Sequence, residues 1–156
     1  MNLLKIKIIN LLNLIMRDKK IKCYPYCLGL KYDREIGITE EQWEKNDINV
    51  IVKLLLQDLV KLKISYKVVD KKYILAANEN LLALKIGIMW LHYFCYVDYH
   101  VIVKRQDGYW YSKFGQLDPE KLPLNTDIEL WNWRDSNNIV KENHYTGEIV
   151  YIAIQS

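Results

Sequence analysis

The chain has 156 residues and a formal net charge of +3, with 51% hydrophobic and 26% charged residues. Those proportions describe one globular domain and exclude a disordered chain. The charge is spread along the sequence, which excludes the basic stripe of a nucleic-acid-binding surface. Three cysteines, Cys23, Cys27 and Cys95, are an odd number, so they do not describe a disulfide scaffold and suit a reducing compartment.

Leu4, Ile8, Leu11, Leu12 and Ile15 fall at helical spacing and predict an amphipathic helix over 2–17. Asn10 and Asn13 interrupt its apolar run. Arg17-Asp18-Lys19-Lys20 follows where small residues would precede a cleavage site, so a docked helix is expected here and not a secretory signal. It is also too short to span a bilayer. Residues 1–22 are therefore expected as a helix and basic turn docked on a domain formed by 23–156, without membrane contact. The expected location is cytoplasmic, or delivered without a secretory signal.

In Cys23-Tyr24-Pro25-Tyr26-Cys27-Leu28-Gly29, proline suits a first helical turn and glycine a helix end. This predicts a short helix starting at or just after Cys23. Thr39-Glu40-Glu41-Gln42 has the form of a capping box. Asn46 or Asp47 then caps a long helix over 48–62, whose polar stripe is Asn49, Lys53, Gln57 and Lys61; the rest is nearly all apolar, so the helix is expected to be buried on most of its circumference. After Lys63 the pattern shifts to strands at 64–69, 82–91, 98–105, 109–114 and 148–154, with Asp107-Gly108 turning a hairpin. Helices first and strands afterwards predict an α+β fold, an antiparallel sheet with helices on one side.

Thiolate is the reactive form of cysteine, and a helix start favours the anion, which makes Cys23 the best nucleophile candidate. A small buried hydrophobe is the alternative for any free cysteine. His100 opens a predicted strand, from which its ring is a candidate base; the alternative is a histidine satisfied by Asp98 or Tyr99. Cys23, Cys27, His92 and Cys95 offer sulfur and nitrogen to zinc, but structural zinc pairs are joined by short loops and the first two share a helix, so no metal is expected. No glycine loop cradles a phosphate, and no cofactor is expected.

Cys23-Tyr24-Pro25-Tyr26-Cys27-Leu28, then Asp98-Tyr99-His100 followed by Asp107-Gly108-Tyr109-Trp110 and Lys113-Phe114-Gly115, resembles the papain-like cysteine peptidases of the NlpC type. The likeness spans roughly 23–115, as two motifs in order. It implies a papain-like α+β domain in which Cys23 attacks a peptide or amide carbonyl, His100 is the general base and an acyl-enzyme forms. The implied partner is a peptide or protein substrate; many such enzymes act on cell-wall peptides. The residue that orients the histidine in that family is often a second histidine, and the matching position here is Ser112. Oxyanion donors would be the backbone N–H of Cys23 or Tyr24, assisted by Tyr24, Tyr26 or Lys22. Ser112 shares the face of His100 only if the hairpin loop has three residues, Gln106-Asp107-Gly108; otherwise Gln116, Asp118 or a main-chain carbonyl would have to replace it. The alternative function is a papain-like fold without catalysis, used as an inhibitor or adaptor.

Overall fold

The computed structural model describes residues 21–39, 47–91, 94–115, 117–133, 145 and 147–156. The predicted helix over 2–17, Glu40-Glu41-Gln42 of the capping box, His92 and Gln116 lie outside the described residues, as does the side chain of Cys95.

Helix α1 is Cys23–Cys27. It stops where Gly29 takes a φ of 72°, and the Gly29 and Leu30 N–H groups return to the carbonyls of Tyr26 (3.0 Å) and Pro25 (2.9 Å). That pair of bonds satisfies carbonyls the helix leaves open. Helix α2 is Ile48–Lys61, capped by Asp47, whose side chain accepts the Asn49 N–H at 2.9 Å. The stripe of Asn49, Lys53, Gln57 and Lys61 is exposed as expected. The helix is nonetheless less buried than expected: Ile51, Leu55, Asp58 and Leu59 form the buried face, whereas Val60 is 62% exposed. One flank of α2 meets the sheet, and Val60 lies off that flank.

Strands β1 (Tyr66–Val69), β2 (Glu79–Leu91), β3 (Phe94–Lys104), β4 (Trp110–Ser112), β5 (Glu120–Lys121) and β6 (Val150–Gln155) form one antiparallel six-stranded sheet in the order β1-β6-β2-β3-β4-β5. The fold is thus α+β. Side chains alternate across the sheet, so each strand feeds two cores. On one face Leu82, Leu84, Val101, Val103 and Ile152 pack with Tyr24, Cys27, Ile51, Leu55 and Leu59 of the two helices. On the other, Ala83, Ile102, Trp110 and Ala153 pack with Leu122, Ile128, Trp133 and Tyr145. Completely buried leucines such as Leu55 and Leu59 each contribute about 2 kcal/mol by burial.

The β3–β4 hairpin turns over Gln106-Asp107-Gly108, a three-residue loop. Arg105 N–H donates to Tyr109 O at 3.0 Å, Gly108 N–H to Arg105 O at 2.9 Å, and Gly108 has a φ of 84° that only glycine adopts without strain. Lys104 consequently pairs with Trp110 and Val103 with Tyr111. This register puts Ser112 on the face of Ile102 and His100.

Candidate functional site

Alternation in an antiparallel pair fixes which backbone groups of β3 face β4. Arg105 and Tyr109 bond to each other, so Val103 and then Val101 also aim their N–H and C=O toward that side. Because β4 ends at Ser112, no strand among the described residues takes up the Val101 groups on that side. Helix α1 does. The Cys27 thiol donates to Val101 O at 3.3 Å, and the Val101 backbone hydrogen-bonds Cys23. Cys23, part-exposed, therefore meets β3 one residue from His100.

His100 itself is 2% exposed. Its Nε2 shares a hydrogen bond of 3.0 Å with Ser112 Oγ, and Ser112 is completely buried. The imidazole stacks on Phe114, with centroids 4.1 Å apart and planes 5° off parallel. Tyr145 lies at 5.5 Å and the edge of Trp133 at 6.1 Å. Tyr145 Oη donates to Asp98 Oδ2 at 2.8 Å, closing this aromatic box beside the Cys23 turn.

Burial decides the ionisation of both groups. It pushes the Cys23 thiol up to about 11, reinforced by the Asp98 charge and opposed by hydrogen bonds from backbone N–H groups, that of Val101 first. It pulls His100 down to about 3. This corrects the expectation that a helix start would lower the thiol. The helix has five residues and no side-chain cap, and its end effect is smaller than the loss of water around the sulfur. The resting pair is a neutral thiol and a neutral imidazole. No hydrogen bond joins Cys23 to His100 among the described residues; the ring's own bond goes to Ser112.

The other expected site residues divide. Tyr24 is completely buried and its hydroxyl donates to Asp58 Oδ2 at 3.0 Å, so its side chain neither lines a cleft nor faces the thiol. Tyr26 is half-buried, with the Arg105 guanidinium 5.5 Å from its ring. Lys22 Nζ is ion-paired with Glu35. Trp110 and Trp133 are buried in the second core and Trp131 packs against it. Asp118 is exposed, and Ser112 occupies the position beside His100 that it was an alternative for.

Two features were not anticipated. Phe114, Trp133 and Tyr145 enclose His100 from segments distant in sequence, and no local pattern announces that. Asp58 sits on the buried face of α2, where Arg34 Nε (2.7 Å) and Nη2 (2.5 Å) fork onto its carboxylate. A charge falling off the polar stripe of a helix was the available signal. Burial would raise the Asp58 carboxyl, but hydrogen bonds from Arg34 and Tyr24 outweigh it and hold it below the usual carboxylate range.

A groove of about 950 Å³ opens elsewhere, between the 71–77 turn, the hairpin tip and residues 126–129; Cys23, His100 and Ser112 do not line it. Among the described residues no group of three or more His, Cys, Asp or Glu is placed to hold a metal ion, and no helix is long and apolar enough to cross a membrane. No protein-family model matches the chain, and no curated protein or solved structure is significantly similar to it.

Proposed function

We propose that the chain is a cysteine hydrolase of papain-like type, acting on peptide or amide bonds through Cys23 and His100 with Ser112 orienting the imidazole. The observation that carries the reading is the His100 Nε2–Ser112 Oγ bond of 3.0 Å. It occupies one ring nitrogen and leaves Nδ1 without a hydrogen-bond partner among the described residues, on the strand where the Cys23 turn docks. An imidazole held through one nitrogen and offered through the other is what a nucleophile's base requires.

The reaction balances as general-base attack. The Cys23 thiol proton passes to the imidazole as sulfur adds to the carbonyl carbon. The tetrahedral oxyanion collapses, the C–N bond breaks, and the leaving amine takes the proton from the imidazolium. Water then cleaves the thioester with the same base, releasing the acid and restoring the thiol. The thiol and imidazole values, about 11 and about 3, lie about eight pH units apart, so the proton moves during attack and not before it. In this reading the Cys23 sulfur has to come within hydrogen-bond reach of the ring on substrate binding, because no bond joins the two at rest among the described residues.

The test is acylation by p-nitrophenyl acetate, followed by intact mass and site mapping. The expected result is an acetyl group on Cys23 that forms and hydrolyses, is lost in Cys23→Ala, and forms at least about a hundredfold more slowly in His100→Ala. Equal acylation of Cys27, or a rate indifferent to His100, rejects the hydrolase. In that event the second reading, a binding module, takes its place; the observation that favours it is the 950 Å³ groove remote from both residues.

A further inference from the structure

We propose that the consecutive residues Asp33-Arg34-Glu35 are a strap that positions the Cys23 thiol by holding the residues on both sides of it. On the N-terminal side, Asp33 Oδ1 accepts the Lys22 backbone N–H at 3.2 Å, and the Glu35 carboxylate pairs with Lys22 Nζ. On the C-terminal side the hold is indirect. Arg34 forks onto Asp58, and the same carboxylate accepts the Tyr24 hydroxyl at 3.0 Å. Cys23 is thus caught between two residues that answer to three successive side chains of one loop, whose end is anchored by buried Ile36.

The contacts are unequal. Lys22 and Glu35 are half and two-thirds exposed, and such a pair contributes little. Arg34 makes two parallel charge-assisted bonds to a carboxylate whose side chain is 8% exposed, which makes it the anchor. A buried ion pair is a poor source of net stability, since packed apolar residues of similar size do as well. What the fork and the tyrosine hydroxyl supply that leucines would not is a fixed direction for the turn next to the thiol. Arg34, Asp58 and Tyr24 are positioning residues in this scheme and touch no substrate.

The thiol's setting gives a readout. From β3, Asp98 and Tyr99 face Cys23, with the His100 ring on the same strand; Lys113 faces it from beyond β4 and Cys27 from α1. None of these groups belongs to the strap, and Tyr24→Phe removes no charge, so loosening the strap by that variant changes the burial of Cys23 while its charged surroundings keep their composition. The proposal takes Cys23 as the reactive thiol of the reading above. Alkylation needs no substrate, however, so its failure is separate from a failure of acylation.

The experiment is iodoacetamide alkylation of the full chain across pH, with rates assigned to each cysteine by mass spectrometry, for Tyr24→Phe and Asp33→Ala. Tyr24→Phe keeps the ring and removes only the hydroxyl. The expected result is that Cys23 alkylates at least about threefold faster than wild type at pH 8, with its pH–rate midpoint lowered toward that of a free thiol. Cys27, bonded to Val101 O, keeps its wild-type rate. If Tyr24→Phe lacks a cooperative unfolding transition, Asp33→Ala, which removes an exposed acceptor, decides by the same criteria. A Cys23 rate within twofold of wild type in every folded variant, or a Cys27 rate that rises in step, overturns the strap.

Discussion

Replacing His100 by glutamine tests the aromatic box directly. Glutamine offers an amide to Ser112 but cannot titrate in the range of interest. In the wild type, burial holds the imidazole near 3, against 6.5 for a free histidine. Between those values the unfolded chain binds a proton that the folded chain does not, so stability falls as pH falls. The contribution is fully present above 6.5 and is lost through the window down to about 3. Each pH unit inside the window removes up to about 1.4 kcal/mol, so from pH 7 to pH 5 the loss is about 2 kcal/mol.

Asp98 works in the opposite sense. Burial raises its carboxyl, against the Tyr145 and Tyr99 hydrogen bonds. A raised carboxyl stabilises the fold below the unfolded value and loses that contribution as pH rises through the folded one. Wild type alone therefore shows only the balance of the two. The difference between wild type and His100→Gln isolates the imidazole, because Asp98 is common to both. Urea unfolding at pH 7, 6 and 5 measures it, with equal slopes as the check that the denatured states match. The expected outcome is an extra loss of about 2 kcal/mol for wild type between pH 7 and pH 5. Equal losses would mean that His100 protonates inside the fold, and the argument from the Phe114 stack and the 2% exposure would be refuted.

Ser112→Ala leaves a buried imidazole nitrogen without its partner and should cost about 1–3 kcal/mol by urea unfolding, with acylation of Cys23 slowed as well. Asp58→Asn breaks the Arg34 fork and should cost about 3–5 kcal/mol, well above the loss for an exposed pair such as Lys71–Glu129, where about 0–1 kcal/mol is expected. Gly147→Ala would set a methyl 2.9 Å from Ile86 Cγ1 and 3.3 Å from Ile86 O; a loss of about 1–3 kcal/mol is expected, and combined with Ile86→Ala, which removes Cγ1, the double variant should lose less than the sum of the two single losses.

The parts of the fold legible in sequence are those governed by local period and turn chemistry. The cap at Asp47, the exposed stripe of α2 and the placement of the two described helices on one face follow from residues close together in the chain. The hairpin was legible to within one residue of loop length, and Gly108 in the left-handed region selects the register that joins Ser112 to His100. Strand β4 was expected to reach Phe114 but ends at Ser112. Lys113 turns its ammonium onto the carbonyls of Gly115 (3.0 Å) and Leu117 (2.7 Å), and Phe114 leaves the strand to stack on His100. β5 pairs only two residues with β4, too short for any periodic signal. The site was legible as residue types, not as electrostatics. Nothing near Cys23 in sequence carries the burial that Val101, Tyr99 and Asp98 impose on it from far along the chain.

That burial also constrains what an acyl-transfer mechanism in this fold would have to be. An enzyme with a resting thiolate–imidazolium pair alkylates readily below neutral pH; a thiol near 11 beside an imidazole near 3 does not. The thiolate fraction at pH 8 falls about a hundredfold when a thiol moves from 9.0 to 11, and the greater nucleophilicity of the more basic sulfur restores only about eightfold. A resting Cys23 that is roughly tenfold slower than a free thiol is therefore compatible with catalysis only if the substrate brings the change with it. The short β4 allows this. Because the Val101 N–H and C=O that face away from β2 are taken by α1, a movement of the Cys23 side chain breaks no bond between strands, and a carbonyl entering there would meet the thiol as the imidazole accepts its proton. Cys23 that reacts quickly with iodoacetamide below pH 7 in the absence of substrate would contradict this order of events, because the pair would then be ionised before any carbonyl arrived.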